Sequence, residues 1–152
     1  MKRKRERKNE RGFTLIEIMV VVMIIAMLST MVGVTVINRL DKAKRAGAAA
    51  QISSLMTALD SYRLDCNVYP TTEQGLEALI NPPSTGNPCR NYQEGGYLTG
   101  NVPLDPWDNP YIYLSPGVNG EDYTIESYGV DGQDGGEGKN ADIESWRLGE
   151  YE

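Results

Sequence analysis

The chain has 152 residues, enough for one modest domain and an anchor but not for two domains, and its formal net charge is −6. Residues 1–12 hold seven basic and two acidic side chains, whereas residues 13–152 hold eight basic and nineteen acidic ones. So acidic a body argues against nucleic acid as a partner, because no basic surface is left to neutralise phosphates; the lack of any histidine excludes a Ser-His-Asp triad, a Cys-His pair and histidine metal ligands.

In chain order, the basic head ends at Arg11-Gly12, and Phe13-Thr14-Leu15-Ile16-Glu17 opens a long apolar segment. Residues 18–38 carry no charge. A helix over 13–37 would be about 37 Å long, more than the roughly 30 Å hydrocarbon core of a bilayer. This predicts a single tilted membrane crossing, with the basic head in the cytoplasm and the body outside it. No Ala-x-Ala site stands directly after the apolar run, and the chain continues straight into more helix, so a cleaved secretory signal is not the reading. Within this run Glu17 stands out, because a carboxylate in lipid costs on the order of 2.5–3.5 kcal/mol. A second copy of the same chain is the partner this cost points to.

Beyond the apolar run, Ile52, Leu55, Met56, Leu59 and Tyr62 or Arg63 recur at i, i+3, i+4, i+7 spacing. The pattern predicts one continuous helix from about Thr14 to about Leu64, apolar all round in its first half and on one stripe in its second. Tyr69-Pro70 breaks it. Thr71-Thr72-Glu73-Gln74 is a capping box opening a short helix with Leu76, Leu79 and Ile80 on its apolar face, and Asn81-Pro82-Pro83 ends that helix. Residues 82–110 read as a long ordered loop. Three short strands are predicted at 111–114, 123–127 and 143–147, forming a small antiparallel sheet on the helix stripe, an α+β arrangement. The tyrosines, Trp107 and Trp146 are assigned to core and strand packing.

Two further features concern chemistry. Cys66 and Cys89 could close a disulfide in an exported domain, contributing about 3.5 kcal/mol for a loop of about 24 residues; two unpaired thiols are the alternative, and spacing alone does not decide. Asp131, Asp134, Glu137 and Asp142, with Asn140, crowd a Gly-rich segment between the last two strands. Hard oxygen donors on a flexible loop suit calcium, although the spacing is not that of an EF-hand and a solvated acidic loop is the bland alternative.

Gly12-Phe13-Thr14-Leu15-Ile16-Glu17 resembles the prepilin peptidase site of type IV pilins and type II secretion pseudopilins. Tyr69-Pro70-Thr71-Thr72-Glu73-Gln74-Gly75-Leu76, Leu104-Asp105-Pro106-Trp107-Asp108-Asn109-Pro110-Tyr111 and Leu114-Ser115-Pro116-Gly117 are narrower in scope. With Ser127-Tyr128-Gly129-Val130-Asp131-Gly132 and Ala141-Asp142-Ile143, they resemble the major pseudopilins of type II secretion, over nearly the whole chain after residue 10.

The resemblance implies a type IV pilin-like fold: a leader over 1–12, a transmembrane and filament-core helix over 13–37, and a periplasmic globular domain over 38–152. It implies removal of the leader between Gly12 and Phe13 by the prepilin peptidase, methylation of the new Phe13 amine, and pairing of Glu17 with the Phe13 amine of a neighbouring subunit. For calcium it implies Asp131 and Asp142 as side-chain ligands, joined by Asn140 and the Tyr128 carbonyl. The expected product is an inner-membrane, single-pass protein that is not an enzyme. It would form a periplasmic homopolymer with minor pseudopilins, built by an inner-membrane platform and its cytoplasmic ATPase to push folded proteins through the outer membrane. A type IV pilin or competence pseudopilin is the alternative, and a lone periplasmic calcium-using binding module is the rival from another class.

Overall fold

The computed structural model describes residues 12–86 and 88–150, with side chains described outside 30–36 and 38. The rest of the expected leader, 1–11, lies outside the described residues. One helix, α1, takes in Leu15–Cys66, two residues beyond the predicted C-terminal limit at Leu64. The chain divides into a first unit, Met1–Arg39, and a second, Leu40–Glu152.

In the first unit every described side chain of α1 from Leu15 to Ser29 is exposed. These residues are apolar on all sides, so no stripe selects a protein surface for them to pack against. In the second unit the helix changes character. Ala48, Ile52, Leu55, Leu59 and Tyr62 are buried at spacings of three and four, whereas Arg63 is exposed, which settles the choice between Tyr62 and Arg63. This stripe shares one core with Leu76, Leu79, Tyr111, Tyr113, Tyr123, Ile125 and Ile143.

The sheet has the order β1-β2-β3 and is antiparallel throughout, with β1 at Ile112–Leu114, β2 at Thr124–Ser127 and β3 at Ile143–Glu144. Tyr113 lies opposite Ile125 and Ser127 opposite Ile143, which puts these residues on the core face. On the other face Glu126 stands directly opposite Glu144.

The third strand is shorter than predicted. Residues 145–147 belong instead to a 3-10 segment, Ser145–Glu150, kinked at Arg147. The Ile125 N–H donates to the Ser145 hydroxyl at 3.0 Å, so a side chain takes the place of a ladder partner and the strand stops. Trp146 is likewise not in the core: it is 46 % exposed, with the Arg147 guanidinium 5.2 Å from its ring. Trp107 is half-buried against the core, with the Lys44 ammonium 5.7 Å from its ring centre.

The Thr71–Gln74 capping box forms reciprocally: the Thr71 N–H donates to Gln74 Oε1 at 2.9 Å, and the Gln74 N–H to Thr71 Oγ1 at 3.3 Å. It opens a turn followed by a 3-10 helix at Leu76–Leu79. The long loop is pinned to that helix through the Leu79 carbonyl, which accepts from Tyr97 N–H at 2.6 Å. Close approach there requires glycine at 96, since a Cβ would lie 2.7 Å from the same carbonyl oxygen. Cys66 and Cys89 are joined in a disulfide with Cα atoms 4.7 Å apart, closing the end of α1 onto the loop.

Burial pushes the Tyr113 phenol up to about 12, and raises those of Tyr111 and Tyr123 as well. The unfolded chain releases these protons from about pH 10, earlier than the folded one. Stability is therefore expected to be full below pH 10 and to fall as pH rises through the window toward 12. Tyrosinate absorbance and far-UV circular dichroism should change together on alkaline titration; ionisation of all tyrosines ahead of unfolding would contradict this.

Candidate functional site

At the start of α1 the chain builds a capping box. The Glu17 N–H donates to Thr14 Oγ1 at 3.3 Å, and the Thr14 N–H donates to Glu17 Oε2 at 3.4 Å. Thr14 is thus the cap and Glu17 the third helical residue, where a carboxylate also meets the positive end of the helix dipole. The cost of an acid in lipid suggests only an intermolecular role for Glu17, although Thr14-x-x-Glu17 has the same spacing as the box at Thr71–Gln74. Gly12 and Phe13 precede the helix in irregular, exposed chain, and Phe13 is 80 % exposed. Among the described residues no helix is both long and apolar enough to cross a membrane. The apolar run of the sequence continues through 30–36, whose side chains are not among those described.

The acidic segment links β2 to β3. Side chains 131–140 are exposed, while Ala141 and Asp142 are half-buried. Asp131 Oδ1 accepts from the Gln133 N–H at 3.3 Å, and Asp142 Oδ2 accepts from the Gly135 N–H at 2.7 Å. Asn140 ends a 3-10 turn, Gly138–Asn140, its N–H donating to the Glu137 carbonyl at 3.2 Å.

The electrostatics of this segment are repulsive. Burial holds the Asp142 carboxyl above the usual range; the Gly135 N–H opposes this, and the Asp134, Glu144 and Asp131 carboxylates add to it. Glu126 is raised by burial and then by Glu144, Asp142 and Asp134. The Tyr128 phenol is raised by burial and then by Asp134, Glu126 and Asp142. Asp134 and Asp142 therefore share one electrostatic neighbourhood with Tyr128, and Asp131 adds to the field at Asp142.

Among the described residues no three acidic or cysteine side chains converge on a single metal position. The donor chemistry nevertheless fits calcium: all the groups are oxygens, carbonyls of the segment can add to the carboxylates, and a divalent cation would relieve their repulsion.

Two of the family-like motifs, 104–111 and 127–132, meet at the base of this segment, in a role that the sequence does not name. Asp105, 3 % exposed, accepts from Trp107 N–H at 2.9 Å and Asn109 N–H at 2.8 Å through Oδ1, and from the Ser127 hydroxyl at 2.6 Å through Oδ2. The Ser127 oxygen accepts in turn from the Gly129 N–H at 3.2 Å, and Asn109 Nδ2 donates to the Gly129 carbonyl at 3.0 Å. The buried carboxylate thereby fastens the 105–109 turn to the root of the acidic segment. Asp105 preceding a proline is a turn signal, but nothing in it names Ser127.

Comparison with known proteins follows the same division of the chain. The profile of type II secretion system protein G matches residues 35–146, and the profile of the prokaryotic N-terminal methylation motif matches residues 7–33. The chain is 47 % identical over 147 residues to the type II secretion system core protein G of Vibrio cholerae, covering 95 % of this chain and 97 % of that one. Its identity to the core protein G of Pseudomonas aeruginosa is 48 % over 142 residues, covering 93 % and 98 %. Among solved structures, the major pseudopilin from the type 2 secretion system of enterohaemorrhagic Escherichia coli is similar, with a TM-score of 0.64 and 42 % identity over 72 % of this chain and 92 % of that one.

Proposed function

This chain belongs to the type II secretion system protein G family, and we propose from that membership that it is the major structural subunit of the secretion pseudopilus. It polymerises into a periplasmic filament that drives folded proteins across the outer membrane, and it performs no catalysis of its own. The observation that carries this reading is the match of residues 35–146 to the family, joined to an α1 whose described side chains from Leu15 to Ser29 are all exposed and almost all apolar. Such a surface suits first lipid and then the helices of other copies.

In this reading the chain starts as a single-pass inner-membrane protein, anchored by 13–37 with its body in the periplasm. The prepilin peptidase cuts between Gly12 and Phe13. Glycine there lets a protease approach the peptide bond closely. The methylation motif at 7–33 supports modification of the new Phe13 amine. That amine is a charge created by the cut, and Glu17 of a neighbouring copy offsets it in a low-dielectric core. Minor pseudopilins, the inner-membrane platform and its cytoplasmic ATPase supply initiation and energy.

Calcium, when bound, supplies charge neutralisation and cross-linking of the acidic segment. Asp131 and Asp142 would hold it, with Asn140 and the Tyr128 carbonyl.

Two measurements test these parts separately. Intact mass of protein from a host with the peptidase should begin at Phe13 and carry one added methyl; retention of 1–12 would overturn processing. Chelation should lower the Tm by several degrees, since calcium at a hundredfold excess over its Kd stabilises by about 2.7 kcal/mol. Asp131→Ala should abolish that response, and an unchanged wild-type Tm would overturn the calcium reading.

A further inference from the structure

Arg45 lies on the second-unit part of α1, and it reaches the acidic segment across the fold. Its Nη1 donates to the Ala141 carbonyl at 2.7 Å and, at the long end of hydrogen bonding, to the Lys139 carbonyl at 3.5 Å. These carbonyls flank Asn140 and lead directly into Asp142. On the same stretch the Gly135 N–H holds Asp142 Oδ2, and Gly136 packs so closely that a Cβ would lie 2.5 Å from the Asn140 carbonyl oxygen. Arg45, Ala141, Asp142 and Glu144 are among the residues lining a cleft of about 260 Å³, together with Arg147 and Glu150. The guanidinium thus orders the backbone on either side of Asn140 from a rigid helix.

We propose that Arg45 is a positioning residue for calcium, tying the segment that carries Asn140 and Asp142 to α1 so that ion binding is felt by the helix. The inference rests on the calcium reading given above. It assigns a cation to the neighbourhood of a cation site, and this makes its test discriminating. Coulomb repulsion alone predicts that removing the Arg45 charge tightens calcium binding. Loss of positioning predicts the reverse, because an untethered segment must be ordered at the expense of binding energy.

The test titrates calcium alone into the full chain in detergent micelles, reading heat of binding and the calcium-linked Tm shift. Arg45→Met, which keeps helix propensity and an apolar stem, is expected to bind about tenfold more weakly, the equivalent of one charged hydrogen bond. Arg45→Lys, with its charge but without the planar fork, is expected to fall between the two. Equal or tighter binding by Arg45→Met overturns the positioning role while leaving the calcium reading intact. No response from the wild-type chain overturns both. Should Arg45→Met fail to fold without calcium, Arg45→Lys carries the test, and affinity equal to wild type then overturns the proposal.

Discussion

Glu17→Gln is expected to abolish filament assembly as completely as Glu17→Ala, while both variants still insert into the membrane. The pair of substitutions is informative because Glu17 has two roles to lose. Within its own chain it closes the capping box with Thr14, at 3.3 and 3.4 Å. Between chains, in the proposed filament, it answers the charge of a processed Phe13 amine. Glutamine can serve the third position of a capping box nearly as well as glutamate, so Glu17→Gln keeps the cap and removes only the charge. Loss of the cap is worth about 0.5–2 kcal/mol, too little to prevent insertion of a long apolar helix. Pulling down sheared filaments and fractionating membranes separates the outcomes. Filaments from Glu17→Gln but not from Glu17→Ala would mean that the local cap, not the intermolecular charge, is what assembly needs.

Asp105→Ala is expected to cost about 3–5 kcal/mol of folding stability, the largest loss from a polar residue in this domain. The carboxylate is buried and accepts from two backbone N–H groups and the Ser127 hydroxyl, so its removal orphans three donors in a site with little access for water. Asp105→Asn should cost less, about 1–2 kcal/mol, because one amide oxygen remains to accept while the amide nitrogen faces donors. Urea unfolding of the two variants reads this order directly. A loss below about 1 kcal/mol for Asp105→Ala would show that the turn holds without the carboxylate. The calcium response should weaken in the same variants, since Ser127 and Asn109 fix Gly129 at the root of the acidic segment.

Elements whose signal is local are legible in the sequence. The α1 stripe appears as Ile52, Leu55, Leu59 and Tyr62 because side chains three and four apart share a helix face whatever the rest of the chain does. The Thr71–Gln74 box is legible for the same reason, being closed within one turn. The overlong third strand marks where that logic ends. The β-branched Ile143 and aromatic Trp146 suit a strand, but the Ser145 hydroxyl, brought beside β2 by the fold, takes the Ile125 N–H and ends the ladder. Trp146 has the size of a core residue, yet its ring finds the Arg147 guanidinium at the surface.

By itself, then, the sequence determined the division of this protein into an apolar helix start and an acidic body, the helix face that makes the core, and the motifs of its family. All of these are carried by residue types at short separations. Only the tertiary structure decided that Cys89 meets Cys66, that Asp105 answers Ser127 and that Arg45 holds the carbonyls beside Asn140. Those pairs are separated by 23, 22 and, for Arg45 and Ala141, 96 residues. Their geometry exists only after burial of the common core has fixed where distant segments run, so no local pattern announces it.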